Sequence, residues 1–228
     1  MEKRLLRNLP ALTEAECEKL KSSRVFICGC GGLGGYLSEL VVRAGVGKVR
    51  AADPDVFDET NLNRQLLATR ESLGRNKALC AMERARLIAP ETEYEALAVR
   101  LDESNAEGLL AGCDIVLDGL DSARSRRTLS AACARLGLAL VLGAVDGWLC
   151  HAALSMPGDG LTERLYPAGT ADADAAAAPV GTLSFCPALC ASVQVALCVA
   201  YLCGRDVESG RLCCFDLLGQ RHESFRLA

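Results

Sequence analysis

Between Arg24 and Ala44 the chain passes from a short apolar run into Gly29-Cys30-Gly31-Gly32-Leu33-Gly34 and then into a helical pattern. Glycines set this densely at a strand-to-helix junction restrict the fold more than any other feature. Without Cβ atoms the backbone can turn sharply and lay its N–H groups against phosphate, and the following helix aims the positive end of its dipole at the same place. Asp53 ends the next strand, Lys48 to Ala52, about twenty residues on, where a carboxylate can accept hydrogen bonds from a ribose. Strand, glycines and acid in this order favour a nucleotide site over a bare tight turn. An NAD-dependent dehydrogenase would read the same to this point.

The rest of the chain fits such a sheet. Thr13 followed by Glu16 marks the capped start of a helix ending near Lys21. Strands are predicted at Arg24–Cys28, Lys48–Ala52, Glu95–Val99, Ile115–Leu117 and Leu138–Gly143, with helices from about Leu33 to Ala44, from Asn76 to Ile88, and starting near Glu103 and Ser122. This alternation implies an α/β fold with a doubly wound, mostly parallel, Rossmann-like sheet. After Gly143 the pattern changes. Gly147 to Met156 reads as an antiparallel strand, Phe185 to Leu202 as one long apolar helix, and Arg211–Phe215 with Arg221–Arg226 as a closing hairpin. At 228 residues one domain is expected, with a helical segment over 1–23, a nucleotide-binding half over 24–145 and an antiparallel half over 146–228. The last contains an aperiodic loop, 157–182, Ala-rich from Ala168 to Ala178.

Composition excludes several classes. With 50% hydrophobic and 24% charged residues the chain is not a disordered one. Apolar runs such as Leu138–Val145 fall short of the roughly 20 residues of a membrane span, and Met1-Glu2-Lys3-Arg4 leads into no signal core. A cytoplasmic protein is expected. A net charge of −4 gives no footprint for nucleic acid. Thirteen cysteines, odd in number and scattered, read as reduced and mostly buried.

The residues after Asp53 separate the nucleotides. Asp55, Asn61, Asn63, Arg64 and Gln65 crowd a polar stretch, followed by Arg75 and Lys77. Arginine forks and a lysine point charge suit a triphosphate better than the pyrophosphate of NAD. Asp121, after the fourth strand, stands at the sheet edge where a carboxylate can face a triphosphate through Mg²⁺.

The runs R-V-F-I-C-G-C-G-G-L-G-G-Y, A-A-D-P-D-V-F-D-E-T-N-L-N-R-Q, G-R-N-K-A and V-L-D-G-L-D-S-A, in that order, resemble the adenylating domain of the MoeB/ThiF/HesA family, relatives of ubiquitin-activating enzymes. The resemblance runs from about Arg4 to the last strand. It implies binding of ATP with Mg²⁺ and adenylation of the C-terminal glycine of a small ubiquitin-like carrier protein ending in Gly-Gly. The 146–228 half would bind that carrier. Carried over residue by residue, Gly29, Gly31, Gly32 and Gly34 would lie under the nucleotide and Asp53 would hold the ribose. Asn61, Arg64 and Gln65 would contact phosphates, Lys77 would neutralise the α-phosphate region and Asp121 would hold Mg²⁺. Arg7, in R-L-L-R-N, would reach the γ-phosphate from the partner subunit of a homodimer, and a downstream sulfurtransferase would consume the adenylate.

The chain departs from the family pattern in its cysteines. Many relatives carry two C-x-x-C pairs that hold structural zinc. Here Cys186 and Cys190 are spaced C-x₃-C and Cys213 and Cys214 are adjacent, so no zinc is expected. No cysteine occurs between Met156 and Phe185. Cys186 is the nearest candidate for a covalent intermediate, at a helix start that could lower its pKa, against the reading of a buried thiol. Asp55, Asp58 and Glu59 read as a solvated acidic loop, Arg124, Arg126 and Arg127 as a solvated helix face, and His151 and His222 as surface or satisfied histidines. Two other functions remain open: adenylation of a modified tRNA base, and a non-catalytic scaffold.

Overall fold

The computed structural model describes residues 2–169 and 181–227. A 3₁₀ turn, Lys3–Asn8, leads to α1 (Glu14–Ser22), closed by the capping box that the sequence predicts: Thr13 Oγ1 accepts the Glu16 N–H at 3.2 Å and the Glu16 carboxylate accepts the Thr13 N–H at 2.7 Å. Then come β1 (Arg24–Cys28), α2 (Gly32–Ala44), β2 (Lys48–Ala52), α3 (Lys77–Ile88), β3 (Glu93–Leu97), α4 (Ala106–Leu110), β4 (Ile115–Asp118) and α5 (Ala123–Leu136). The chain closes with β5 (Ala139–Asp146), β6 (Leu149–Ser155), α6 (Leu161–Leu165), α7 (Phe185–Leu202), β7 (Arg211–Asp216) and β8 (Arg221–Arg226).

The strands form one eight-stranded sheet in the order β3-β2-β1-β4-β5-β6-β7-β8. The first five run parallel, and β6, β7 and β8 extend the sheet antiparallel, as the pattern change after Gly143 implied. Alternation along each strand divides the core. Val25, Ile27, Ile115, Leu117 and Val141 face α2, α3 and α7, whereas Phe26, Val116, Leu140 and Leu142 face α4, α5 and α6. Apolar residues are therefore needed on both faces of the central strands.

Three elements differ from their predicted limits. β3 begins two residues earlier than predicted because it is an edge strand: Glu93 and Glu95 stay in solvent and pair with Lys48 and Arg50 of β2 at 3.8 and 2.6 Å. β5 runs through Gly143 to Asp146, since the residue without a side chain leaves room for Gln194 of α7. The helix placed near Glu103 starts at Ala106, after Asp102 Oδ1 accepts the Ser104 and Asn105 N–H groups in a turn. Residues 170–180, most of the Ala-rich stretch, lie outside the described residues.

α7 corrects the reading of apolar length. It has 18 residues without a charge and is long and apolar enough to cross a membrane by those criteria alone. In the fold it packs on β5, β6 and α2, burying Cys186, Cys190, Ala191, Val195, Cys198 and Leu202. Gln194 inside that stripe donates to Asp118 O at 2.8 Å and Val141 O at 3.1 Å, so the one long polar side chain in the interface is satisfied.

Candidate functional site

The strand order reverses direction between β1 and β4, and the crevice at their carboxyl ends is where open α/β sheets bind ligands. Two turns meet there. Gly29 has φ +90°, and a Cβ on it would stand 2.6 Å from Gly119 O, so only glycine lets the β1–α2 and β4–α5 turns touch. Gly34 is required one turn on, because a Cβ there would lie 1.8 Å from Gly29 O. This packing puts the uncapped N-terminus of α2, with Gly31 as cap residue, at the floor of a cavity of about 280 Å³. Gly29, Gly31 and Gly32 line it; Gly34 serves the turn instead.

Asp53 is 5% exposed at the end of β2, and its Oδ2 and Oδ1 accept the Cys30 and Asp55 N–H groups at 2.6 and 2.8 Å. Burial raises its pKa, and those N–H groups and Lys77 oppose the rise. The same bonds fix the glycine turn to β2. Asn76 caps α3 and donates to Asp53 O and Asp55 O at 2.9 and 3.0 Å, which sets Lys77, the first helical residue, against the cavity. Lys77 is 8% exposed, with Nζ 3.4 Å from Asp55. Arg100, after β3, approaches the same carboxylate at 3.7 Å and lines the cavity too. Asp55 is exposed, as a solvated acidic loop implies, and it also bridges these two cations. Asp58 is exposed too, bonded to Thr60.

The polar stretch forms a 3₁₀ turn, Glu59–Asn61, and a run of turns. Asn61 is buried but does not line the cavity; its Oδ1 accepts the Asp58 N–H at 3.2 Å and closes the turn. That turn carries Arg64 and Gln65 to the wall. Arg64 donates to Thr60 O at 2.8 Å, leaving other guanidinium N–H groups for a ligand. Gln65 is 7% exposed, its side chain lies over Gly31, and its Oε1 is buried without a hydrogen-bond partner. That amide oxygen is free to accept a donor at the cavity wall.

The β4–α5 side holds what the sequence did not reveal. Arg126, read there as solvated, is 5% exposed: its Nη1 stands 3.2 Å from Asp118 and donates to the Tyr166 hydroxyl at 2.7 Å, and its Nη2 donates to Leu120 O. Burial pulls the guanidinium pKa down, and Asp118, Tyr166, Cys190 and Asp121 together outweigh it, so the net shift is upward. Arg126 stays charged, and it braces the Gly119-Leu120-Asp121 turn, which presents Asp121 and Arg126 itself to the cavity. The periodicity of α5 held the signal, since Arg126 falls on the stripe with Ala123, Leu129, Ala132 and Cys133. Tyr166 also lies 3.4 Å from His151 Nε2, whose pKa burial, and then Arg126, press down to about 4.

Two predicted residues lie elsewhere. Arg7 is exposed on the 3₁₀ turn beside the carboxyl end of α2, where Arg4 and Asn8 donate to Val42 O and Ala44 O. Cys186 is fully buried, and burial raises its pKa, which favours the packing role. All thirteen cysteines are free thiols, ten of them buried.

The cavity therefore gathers Asp53, Arg64, Gln65, Lys77, Asp121 and the glycine loop as the sequence implied, together with Arg100 and Arg126. Residues 3–228 match the profile described as the ThiF family. The sulfur carrier protein adenylyltransferase of Thermus thermophilus is 38% identical over 137 residues, 60% of this chain and 51% of that one. This chain thus spans about half that relative's length. The SAMP-activating enzyme E1 of Haloferax volcanii is 29% identical over 208 residues, 90% and 77% of the two chains. Among solved structures, Escherichia coli MccB with ATP superposes with a TM-score of 0.81 at 19% identity, covering 92% of this chain and 65% of that one, a likeness of fold.

Proposed function

The chain belongs to the ThiF family, and from that premise we propose that it uses ATP to adenylate the C-terminal glycine carboxylate of a small ubiquitin-like sulfur-carrier protein. The observation that carries this reading is the cavity's make-up: uncapped helix N–H groups, Arg64 and Lys77, closed by Asp53 on one side and Asp121 on the other. Relatives named as adenylyltransferases of sulfur carriers support it.

In this reading Asp53 orients the ribose, and the N–H groups of the α2 N-terminus and the Gln65 Nε2 amide donate to phosphate oxygens. Arg64 and Lys77 hold the triphosphate so that its α-phosphorus faces the incoming carboxylate. That carboxylate is ionised, so no general base is needed. One of its oxygens bonds to the α-phosphorus as the bond to the bridging oxygen of pyrophosphate breaks, giving an acyl-adenylate and pyrophosphate. Catalysis then rests on positioning and on charge placed where negative charge builds. Asp121, an exposed carboxylate beside the phosphate region, fits Mg²⁺, which takes one or two carboxylates along with substrate phosphates. Bound there, the ion supplies neutralisation of the leaving pyrophosphate. The product is a mixed anhydride poised for a sulfur donor, so a downstream sulfurtransferase is the expected consumer.

Calorimetry should show binding of ATP with Mg²⁺ and none of NAD. Lys77→Ala and Asp121→Ala should stay folded and lose carrier-dependent exchange of pyrophosphate into ATP by about 10²-fold or more. Tight NAD binding, or near-normal exchange in both variants, would overturn the proposal.

A further inference from the structure

Tyr166 caps the carboxyl end of α6, where its N–H donates to Thr162 O at 2.8 Å. Two consecutive arginines of α5 hold it from the other side. Arg127 Nη1 donates to Tyr166 O at 3.4 Å and to Pro167 O at 3.3 Å, so this arginine is half-buried rather than part of a solvated face. Arg126 Nη1 donates to the Tyr166 hydroxyl at 2.7 Å, with Cζ 4.9 Å from the ring centroid. The hydroxyl can turn its own hydrogen to His151 Nε2 at 3.4 Å, on a ring that is neutral near pH 7.

Beside that hydroxyl lies an acceptor left open. Asp118 is fully buried; its Oδ1 accepts the Leu120 N–H at 2.9 Å, and the Gly143 N–H also favours its charge. Yet Oδ2, 3.2 Å from Arg126 Nη1, has no hydrogen-bond partner among the described residues. Nη1 bonds to the tyrosine instead, while Nη2 donates to Leu120 O. Attraction between the charges keeps arginine and aspartate close, and the hydroxyl decides which way the fork faces. Without it Nη1 would carry a buried N–H with no acceptor, and turning the guanidinium onto Asp118 Oδ2 removes that cost. The same turn draws Nη2 off Leu120 O. Leu120 belongs to the Gly119-Leu120-Asp121 turn, which lies against the glycine loop: a Cβ on Gly119 would stand 3.0 Å from Cys28 O and from Gly29 O.

We infer that Tyr166 is a positioning residue for the proposed adenylation: its hydroxyl holds the Arg126 fork on Leu120 O and so keeps Asp121 presented to the phosphates. The inference rests on the adenylation reading for the reaction it serves. Tyr166 itself does not line the nucleotide cavity. The residues proposed to hold ATP, Asp53, Arg64, Gln65 and Lys77, follow β2 or begin α3 and make no hydrogen bond to Tyr166. Loss of the hydroxyl should therefore leave ATP binding almost intact. It should slow the step in which charge builds at the α-phosphorus, which is a split between KM and kcat.

The test is Tyr166→Phe, which removes one oxygen and keeps the ring. In exchange of pyrophosphate into ATP driven by a ubiquitin-like protein ending in Gly-Gly, kcat should fall about tenfold and KM for ATP should stay within about twofold. The urea midpoint should not fall, because the guanidinium regains a partner in Asp118. A residue that only packs α6 on α5 would instead lose stability and leave kcat alone. A crystal structure of the variant should show Arg126 bonded to Asp118 Oδ2 and parted from Leu120 O. In an Arg126→Lys background one ammonium cannot bridge Leu120 O and Tyr166, so adding Tyr166→Phe should cost less than about twofold. Unchanged kcat in Tyr166→Phe, a guanidinium that has not moved, or the full loss repeated in the Arg126→Lys background overturns the inference. Calorimetry with ATP and exchange by the unmodified protein test the adenylation reading by themselves. If the unmodified protein binds ATP and exchanges while Tyr166→Phe matches it, the positioning role alone has failed.

Discussion

Lys77 and Arg100 approach one carboxylate, that of Asp55, at 3.4 and 3.7 Å, and Arg126 stands over Asp118, so with Arg64 four cations line the cavity, two of them sharing a single acid. Cations gathered at one wall suit the clustered oxygens of a triphosphate. His151 does titrate, and in a direction that can be worked out. Its folded pKa of about 4 lies below the ordinary value near 6.5, so between those limits the unfolded chain takes up a proton that the folded one refuses. The penalty is absent above about pH 7, grows as pH falls through 6.5, and reaches at most about 2 kcal/mol at pH 5. Urea midpoints at pH 7.5 and pH 5 should show wild type losing stability and His151→Gln losing less; equal slopes would mean that His151 is charged in the folded protein. At this scale the sequence revealed residues whose role comes from chain position, such as Asp53 at a strand end and Lys77 at a helix start. Arg126 was hidden because an arginine among arginines resembles a solvated face until its burial beside Asp118 is known. Arg100 was hidden because its partner Asp55 is far along the chain.

The union of α7 with the sheet turns on one polar contact. Gln194 reaches across to Asp118 O and Val141 O, and Gly143 makes the space, since a Cβ on that glycine would lie 2.3 Å from the Gln194 amide carbon. Gly143→Ala must push the amide aside and leave buried carbonyl groups without their donor, a cost of about 1–3 kcal/mol. In a Gln194→Ala background the same substitution meets no amide and should cost much less, so a double-mutant cycle read by denaturant unfolding should give a coupling above about 0.5 kcal/mol. Additive effects would show that Gly143 is not there for Gln194. Elements were legible where burial imposes a period, as in β1, β2, β4 and α5. The limits of β3 and β5 were not, because an edge strand may carry glutamates and because a glycine that ends a strand in isolation continues it when a helix side chain fills its place.

Over the whole molecule, Arg7 poses a question of distance. Its 3₁₀ turn is bound to the carboxyl end of α2 through Arg4, Asn8 and the packing of Leu5 beside Gly45, whereas the glycine loop is at the opposite end of that 13-residue helix. At 1.5 Å per residue the two ends are about 20 Å apart, far beyond the reach of one arginine side chain. Arg7 therefore does not serve the cavity of its own chain. Either it is a solvated charge near a terminus, or it serves a second copy, and a guanidinium fork arriving from outside suits the γ-phosphate oxygens that the first subunit leaves exposed. We propose the second, in a two-fold dimer. Arg7→Ala and Asp121→Ala should each depress pyrophosphate exchange. When the two variants are mixed and allowed to exchange subunits, each mixed dimer has one site with both lesions and one with neither. Activity should then return to about a quarter of the wild-type value in an equal mixture, since half of the dimers are mixed and half of their sites are intact. A mixture that stays inactive although the subunits exchange, or an Arg7→Ala protein with full activity alone, would show that each chain works with its own residues only.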